Sequence, residues 1–170
     1  LLLCLIFSVS SAYAIDLSGA KIKGNGCETQ LKIQNLKNTY VIPLNIDLKK
    51  SNTSALERKT CNLRIPIKLQ AHQKLIVSEA LQNIDIKSVK GTKIEATLKI
   101  AIASQKSKEM SIESESEENK KLSVSGLVTE SACGKDAMLT TDLSVFATGP
   151  AAVSAKLDAL SIEMKIVSCK

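Results

Sequence analysis

Between Ile42 and Val145, apolar and polar residues alternate in short, regular runs. Ile42, Leu44, Ile46 and Leu48 are separated by Pro43, Asn45 and Asp47. Leu63, Ile65, Ile67 and Leu69 are separated by Arg64, Pro66 and Lys68. Ile94, Ala96, Leu98, Ile100 and Ile102 alternate with Glu95, Thr97, Lys99 and Ala101, and Leu139, Thr141, Leu143 and Val145 repeat the theme. Successive side chains of a strand point to opposite faces, so this period of two buries one face and wets the other. Weaker runs at 31–36, 75–77, 84–89 and 122–128 read as further strands. The pattern predicts an all-β chain: a single-domain antiparallel β-sandwich of about eight strands.

Three places disturb the pattern. Pro43 and Pro66 fall inside predicted strands; proline cannot donate to a ladder, so each belongs at a sheet edge or a bulge. Near the end, Leu160, Ile162, Met164 and Ile166 alternate as a strand, while Val153, Leu157, Leu160, Met164 and Val167 also fit a helical face. The β-branched residues there favour the strand, and the phase slip from Leu157 to Leu160 fits a turn at Asp158-Ala159 or a bulge. Residues 105–121, QKSKEMSIESESEENKK, are too acidic and serine-rich for a core face and are expected to form a mobile loop between strands. Glu113, Glu115, Glu117 and Glu118 could supply oxygens to calcium, but the segment has neither a glycine turn nor an Asp-x-Asp ladder.

The start of the chain is different. Residues 1–14, LLLCLIFSVSSAYA, are an apolar run ending in the small-x-small pattern Ala12-Tyr13-Ala14. This is the pattern of a secretory signal peptide, here truncated at its start, with the secreted domain running over 15–170. The run is shorter than the ~20 residues of a spanning helix, so no membrane span is expected in the mature chain. Leu3 stands where lipidation of Cys4 would need a small residue. The mature chain would keep Cys27, Cys61, Cys133 and Cys169, and an even count in an exported protein implies two disulfides. Close C-x-x-C pairs of a zinc site are absent. Three connectivities are open, and Cys27–Cys61 with Cys133–Cys169 is favoured because each pair brackets a compact run of strands.

Charge is uneven. The net charge is +6, and residues 15–104 carry 15 basic against 7 acidic side chains. A positive face could meet acidic envelope or extracellular polysaccharide, or another polyanion. Yet 21 of the basic residues are lysines; only Arg58 and Arg64 offer the planar fork that recognises carboxylate or phosphate. Lysines on the wet side of strands also protect edges, which is the simpler reading.

Candidate chemistry is sparse. His72 is the only histidine and sits in an apparent turn, without a nucleophile elbow to accompany it. Gly24-Asn25-Gly26 is a short turn with no following helix, so no phosphate loop is read. Asp47, Asp85, Glu95, Asp142 and Glu163 lie on strands in the polar phase, where a solvent-facing charge is the simpler reading than a hydrolytic pair. Tyr40 and Phe146 are the only aromatics after the leader, too few for a row of sugar-stacking rings. Asn52-Thr53-Ser54 matches a glycosylation sequon. No catalytic residue, metal, cofactor or specific nucleic-acid partner is expected.

The cysteine segments carry a resemblance. Gly24-Asn25-Gly26-Cys27, Arg58-Lys59-Thr60-Cys61-Asn62-Leu63, Ser131-Ala132-Cys133-Gly134 and the strand closing at Cys169 resemble, in order and spacing, domain-of-unknown-function family 4360. The resemblance implies a small secreted, disulfide-bonded β protein and no known activity. The chain departs from that family in its stretch after the second cysteine, 84–91, and in having Val167-Ser168, without tryptophan, before Cys169. The expected function is therefore a secreted or cell-envelope binding or structural module without catalysis. Polysaccharide binding through a lysine-rich face and a secreted hydrolase with a carboxylate pair are the alternatives.

Overall fold

A computed structural model of the chain describes residues 14–27, 30–115, 118–124 and 129–169. The expected leader therefore lies, except for Ala14, outside the described residues. The strands are β1 (Lys21–Lys23), β2 (Gln34–Leu36), β3 (Thr39–Lys50), β4 (Leu56–Ile67), β5 (Gln73–Lys87) and β6 (Lys93–Ile102). They continue with β7 (Lys108–Ser114), β8 (Glu118–Val124), β9 (Thr129–Glu130), β10 (Ala137–Thr148) and β11 (Val153–Ser168). One sheet runs β1-β4-β10-β6-β7; the other runs β2-β3-β11-β5-β8, with β9 also on β5. Every recorded pairing is antiparallel. The apolar phase of β3, β4, β5, β6, β10 and β11 meets between the sheets as one core, mostly of Leu, Ile, Val and Ala, joined by Tyr40, Cys61 and Met164. The expected sandwich is the observed architecture.

Both prolines sit where a missing donor is tolerated. β2 pairs only as far as Val41, so Pro43 lies past its reach. On its other side, β3 and β11 slip register between Leu157 and Ala159, with Pro43 opposite Ala159. That bulge is the phase slip seen in the sequence, and it lets β11 run unbroken as a strand rather than a helix. Pro66 lies past β1, which covers only Asn62–Arg64.

Two expectations change. Residues 75–77 and 84–89 belong largely to one long strand, β5, whose register against β11 shifts between Glu163 and Met164. That shift moves the buried phase from Leu75 and Val77 to Ala80, Gln82 and Ile84, which broke the alternation in two. The expected loop at 105–121 contains β7 and most of β8 instead, the outermost strands of opposite sheets. β7 is exposed except near Ile112 and Ser114, so a strand that pairs on one side only needs little apolar content. Residues 116–117, including Glu117 of the calcium reading, lie outside the described residues.

The disulfides are Cys27–Cys61 and Cys133–Cys169, with Cα–Cα separations of 5.2 and 6.0 Å. Each ties a short segment alongside a strand. Gly24 has φ +146°, and a β-carbon there would overlap the Thr60 carbonyl. This close approach lets Asn25 continue the ladder along β4 with its side chain. Its Oδ1 accepts from the Thr60 N–H at 2.8 Å, and its Nδ2 donates to the Arg58 carbonyl at 3.0 Å. Gly26 N–H adds a bond to the Thr60 carbonyl at 3.0 Å. At the second bridge Ser131 plays the same part for β5. Its N–H donates to the Leu75 carbonyl and its Oγ accepts from the Leu75 N–H, both at 2.9 Å. Gly134, at φ +67°, then donates to the Gln73 carbonyl at 2.8 Å.

Candidate functional site

The outer face of the first sheet holds the most organised set of polar groups. On β4, the outward positions are Arg58, Thr60, Asn62 and Arg64, because Cys61, Leu63 and Ile65 point inward. On β10 they are Thr140, Asp142, Ser144 and Phe146; on β6, Glu95, Thr97 and Lys99. Antiparallel register sets these side chains side by side in rows across the strands. Asn62, Asp142, Lys99 and Glu109 form one row. Thr60, Ser144, Thr97 and Ser111 form the next, and Arg58, Phe146, Glu95 and Glu113 the third.

The middle row carries only short hydroxyl side chains, while both flanking rows are long. A groove follows, floored by hydroxyls and running across the strands. Two adjoining depressions of about 390 and 470 Å³ share Arg58, Thr97, Glu109 and Ser144. The groove crosses four strands, so it extends about 14 Å at ~4.8 Å per strand spacing.

Its walls are held in place. The Asn62 amide donates to Asp142 Oδ1, and its own Oδ1 accepts from Arg64 Nε at 3.2 Å. Thr97 and Ser111 hydroxyls bond across the floor at 2.8 Å. Lys93 Nζ stands 2.7 Å from Glu113 and 3.5 Å from Glu95. The hydrogen bond to Glu113 holds the Lys93 ammonium above its ordinary value, and the same bond holds the Glu113 carboxyl below its own. Phe146 lies half-exposed at one wall, flanked across the strands by Arg58 and Glu95, with the exposed Leu56 lining the same depression.

The two aromatics of the described chain part company here. Tyr40 is buried at 2% exposure, and that burial pushes its phenol up. Phe146 is presented outward. The signal for this was present in the sequence: with Leu143 and Val145 on the dry phase, Phe146 falls on the wet one. The strand carboxylates are divided between the sheets. Glu95 and Asp142 face this groove, whereas Asp47, Asp85 and Glu163 are exposed on the strands of the second sheet. Glu95 and Asp142 stand in opposite walls, four residues apart along the strand direction, or about 13 Å. Glu109, from the expected loop, joins the groove. It was missed because β7 keeps most of its side chains in water and so shows no clear apolar face.

Among the described residues, the ion-paired lysines do not share a face. Lys49, Lys68, Lys74, Lys93 and Lys156 are all in ion pairs, spread over both sheets and the turns. His72 is exposed in a turn, and its carbonyl accepts from the Cys169 N–H at 2.8 Å. Asn52 is exposed in the turn after β3. Among the described residues, no group of three or more His, Cys, Asp or Glu side chains is placed to hold a metal.

No protein-family profile matches the chain, and no curated protein does. Solved structures do. A carbohydrate-binding module, TmCBM61, solved with beta-1,4-galactotriose, is 13% identical over 90% of each chain at a TM-score of 0.38. TmCBM27, a carbohydrate-binding module described for specific mannan recognition, is 10% identical over 90% of this chain and 99% of its own at 0.35. A family 11 carbohydrate-binding module from Clostridium thermocellum, in complex with a beta-1,3-1,4-mixed-linked tetrasaccharide, is 12% identical over 85% and 83% at 0.24. Similarity at this level carries over neither a ligand nor a site.

Proposed function

We propose that this chain is a secreted or cell-envelope binding module, and that it seats an extended glycan in the groove on the outer face of its first sheet. The observation that carries the reading is the hydroxyl floor between two walls of planar, hydrogen-bonding groups. Sugar hydroxyls are donors and acceptors at once, and Arg58, Asn62, Asp142 and Glu109 present complementary forks and oxygens. Phe146 and Leu56 offer an apolar surface for the C–H face of a sugar ring. The two disulfides support an oxidising compartment, where such bridges persist. Membership of family 4360 belongs to the same proposal. Of the segments that carry that resemblance, 58–63 lies on β4 and supplies Arg58, Thr60 and Asn62 to the groove, while those around Cys27 and Cys133 run alongside β4 and β5.

The test is affinity electrophoresis of the purified chain in gels containing neutral and acidic polysaccharides. Retardation by at least one polysaccharide is expected, weakened about tenfold or more in Phe146→Ala and in Arg58→Ala. Migration unaffected by every polysaccharide would sink the reading, and release of reducing ends would replace it with hydrolysis.

A further inference from the structure

We infer that the groove takes an acidic glycan, whose carboxylate is received by a cationic subsite formed by Lys21, Lys23 and Arg64 at the β1 end of the sheet; this rests on the glycan reading above. The three cations line one depression of about 340 Å³, together with Ile22 and Asn62. Register places Lys21 directly beside Arg64 and Lys23 beside Asn62. No carboxylate lines that depression, in contrast to the mixed charge of the groove.

Asn62 joins the two sites. It lines both the cationic depression and the groove. Its Oδ1 accepts from Arg64 Nε at 3.2 Å, while its amide is fixed on Asp142. Arg64 is therefore held through Nε, which leaves its two terminal nitrogens to meet a ligand. A guanidinium edge of that kind pairs with a planar carboxylate through parallel bonds, and the two ammonium groups add point charge. Both arginines of the chain thus serve this face: Arg58 at the groove wall and Arg64 in the subsite. From β1 to β7 the sheet spans about 19 Å, long enough for an oligosaccharide to occupy both places at once.

The test compares uronic-acid oligomers with neutral glucan and xylan oligomers of equal length, titrated into the purified chain by calorimetry at low and high salt. Acidic oligomers are expected to bind at least tenfold more tightly at low salt, with the advantage shrinking as salt rises. Lys21→Gln/Lys23→Gln should remove most of that advantage and leave neutral binding within twofold, and Arg64→Gln should remove most of it as well. Arg64→Lys should recover only part, since an ammonium cannot make the bidentate contact. All three positions are exposed, and unchanged thermal unfolding would show the variants intact. Neutral oligomers binding as well as acidic ones would overturn the subsite and spare the groove. Polyphosphate binding as tightly as the uronates would overturn it too, by showing charge without sugar recognition. Failure of every oligomer would remove the groove reading and the subsite with it.

Discussion

At the scale of single residues, the chain repeatedly uses a side chain to stand in for a missing strand. Asn25 satisfies a donor and an acceptor on β4 where β1 no longer reaches. A backbone polar group left without a partner costs stability unless water replaces it, and both bonds here are exposed. Asn25→Ala should lower unfolding stability by about 0.5–1.5 kcal/mol, seen as a lower urea midpoint at unchanged slope. An unaltered midpoint would mean that water replaces the amide fully. Ser131 makes the equivalent contact to Leu75 on β5. The short motifs around the cysteines thus have a mechanical explanation: glycine permits close approach, a small polar side chain extends the ladder, and the disulfide pins the segment.

At the scale of elements, alternation located the strands well and their ends poorly. β3, β6 and β10 were legible because one face of each is buried along nearly its whole length, and β4 was legible from Cys61 to Ile67, where its inward face is buried. β5 was split by the register shift near Ser78, since one extra residue reverses the facing of everything beyond it. β7 was unreadable because it pairs on one side and keeps most of its side chains in water. Such a strand contributes few buried contacts and should open most readily. Hydrogen exchange is expected to label β7 and β8 well before β10 and β11, which are paired on both sides. Equal protection across each sheet would contradict this ranking. The groove is also an element-scale property. Its floor needs Thr60, Ser144, Thr97 and Ser111 to fall in register, and no single strand encodes that.

At the scale of the whole molecule, two sheets enclose one aliphatic core, and the two bridges close loops of 34 and 36 residues in sequence. In the loop-entropy treatment each is worth roughly 4 kcal/mol through restriction of the unfolded chain. Cys27→Ala/Cys61→Ala and Cys133→Ala/Cys169→Ala should each lose a few kcal/mol in chemical denaturation, with the double removal close to additive. A loss below about 1 kcal/mol would show that the unfolded chain is already restrained there.

What the sequence determined by itself was local: alternation set the strands, the proline positions and phase slip marked tolerant sites, and four cysteines limited the bridges to three pairings. Phe146 and both arginines could be assigned to the wet phase from the same periodicity. What only the tertiary structure decided was adjacency. Antiparallel register brought Arg58, Asn62, Asp142, Thr97 and Glu109, which are up to 84 positions apart, onto one surface. It also divided Glu95 and Asp142 from the remaining strand carboxylates and turned an expected loop into two edge strands. Facing is set by each residue's own backbone, so it can be read along the chain. Neighbourhood across a sheet is set by the pairing of distant segments, so it appears only when the sheets close.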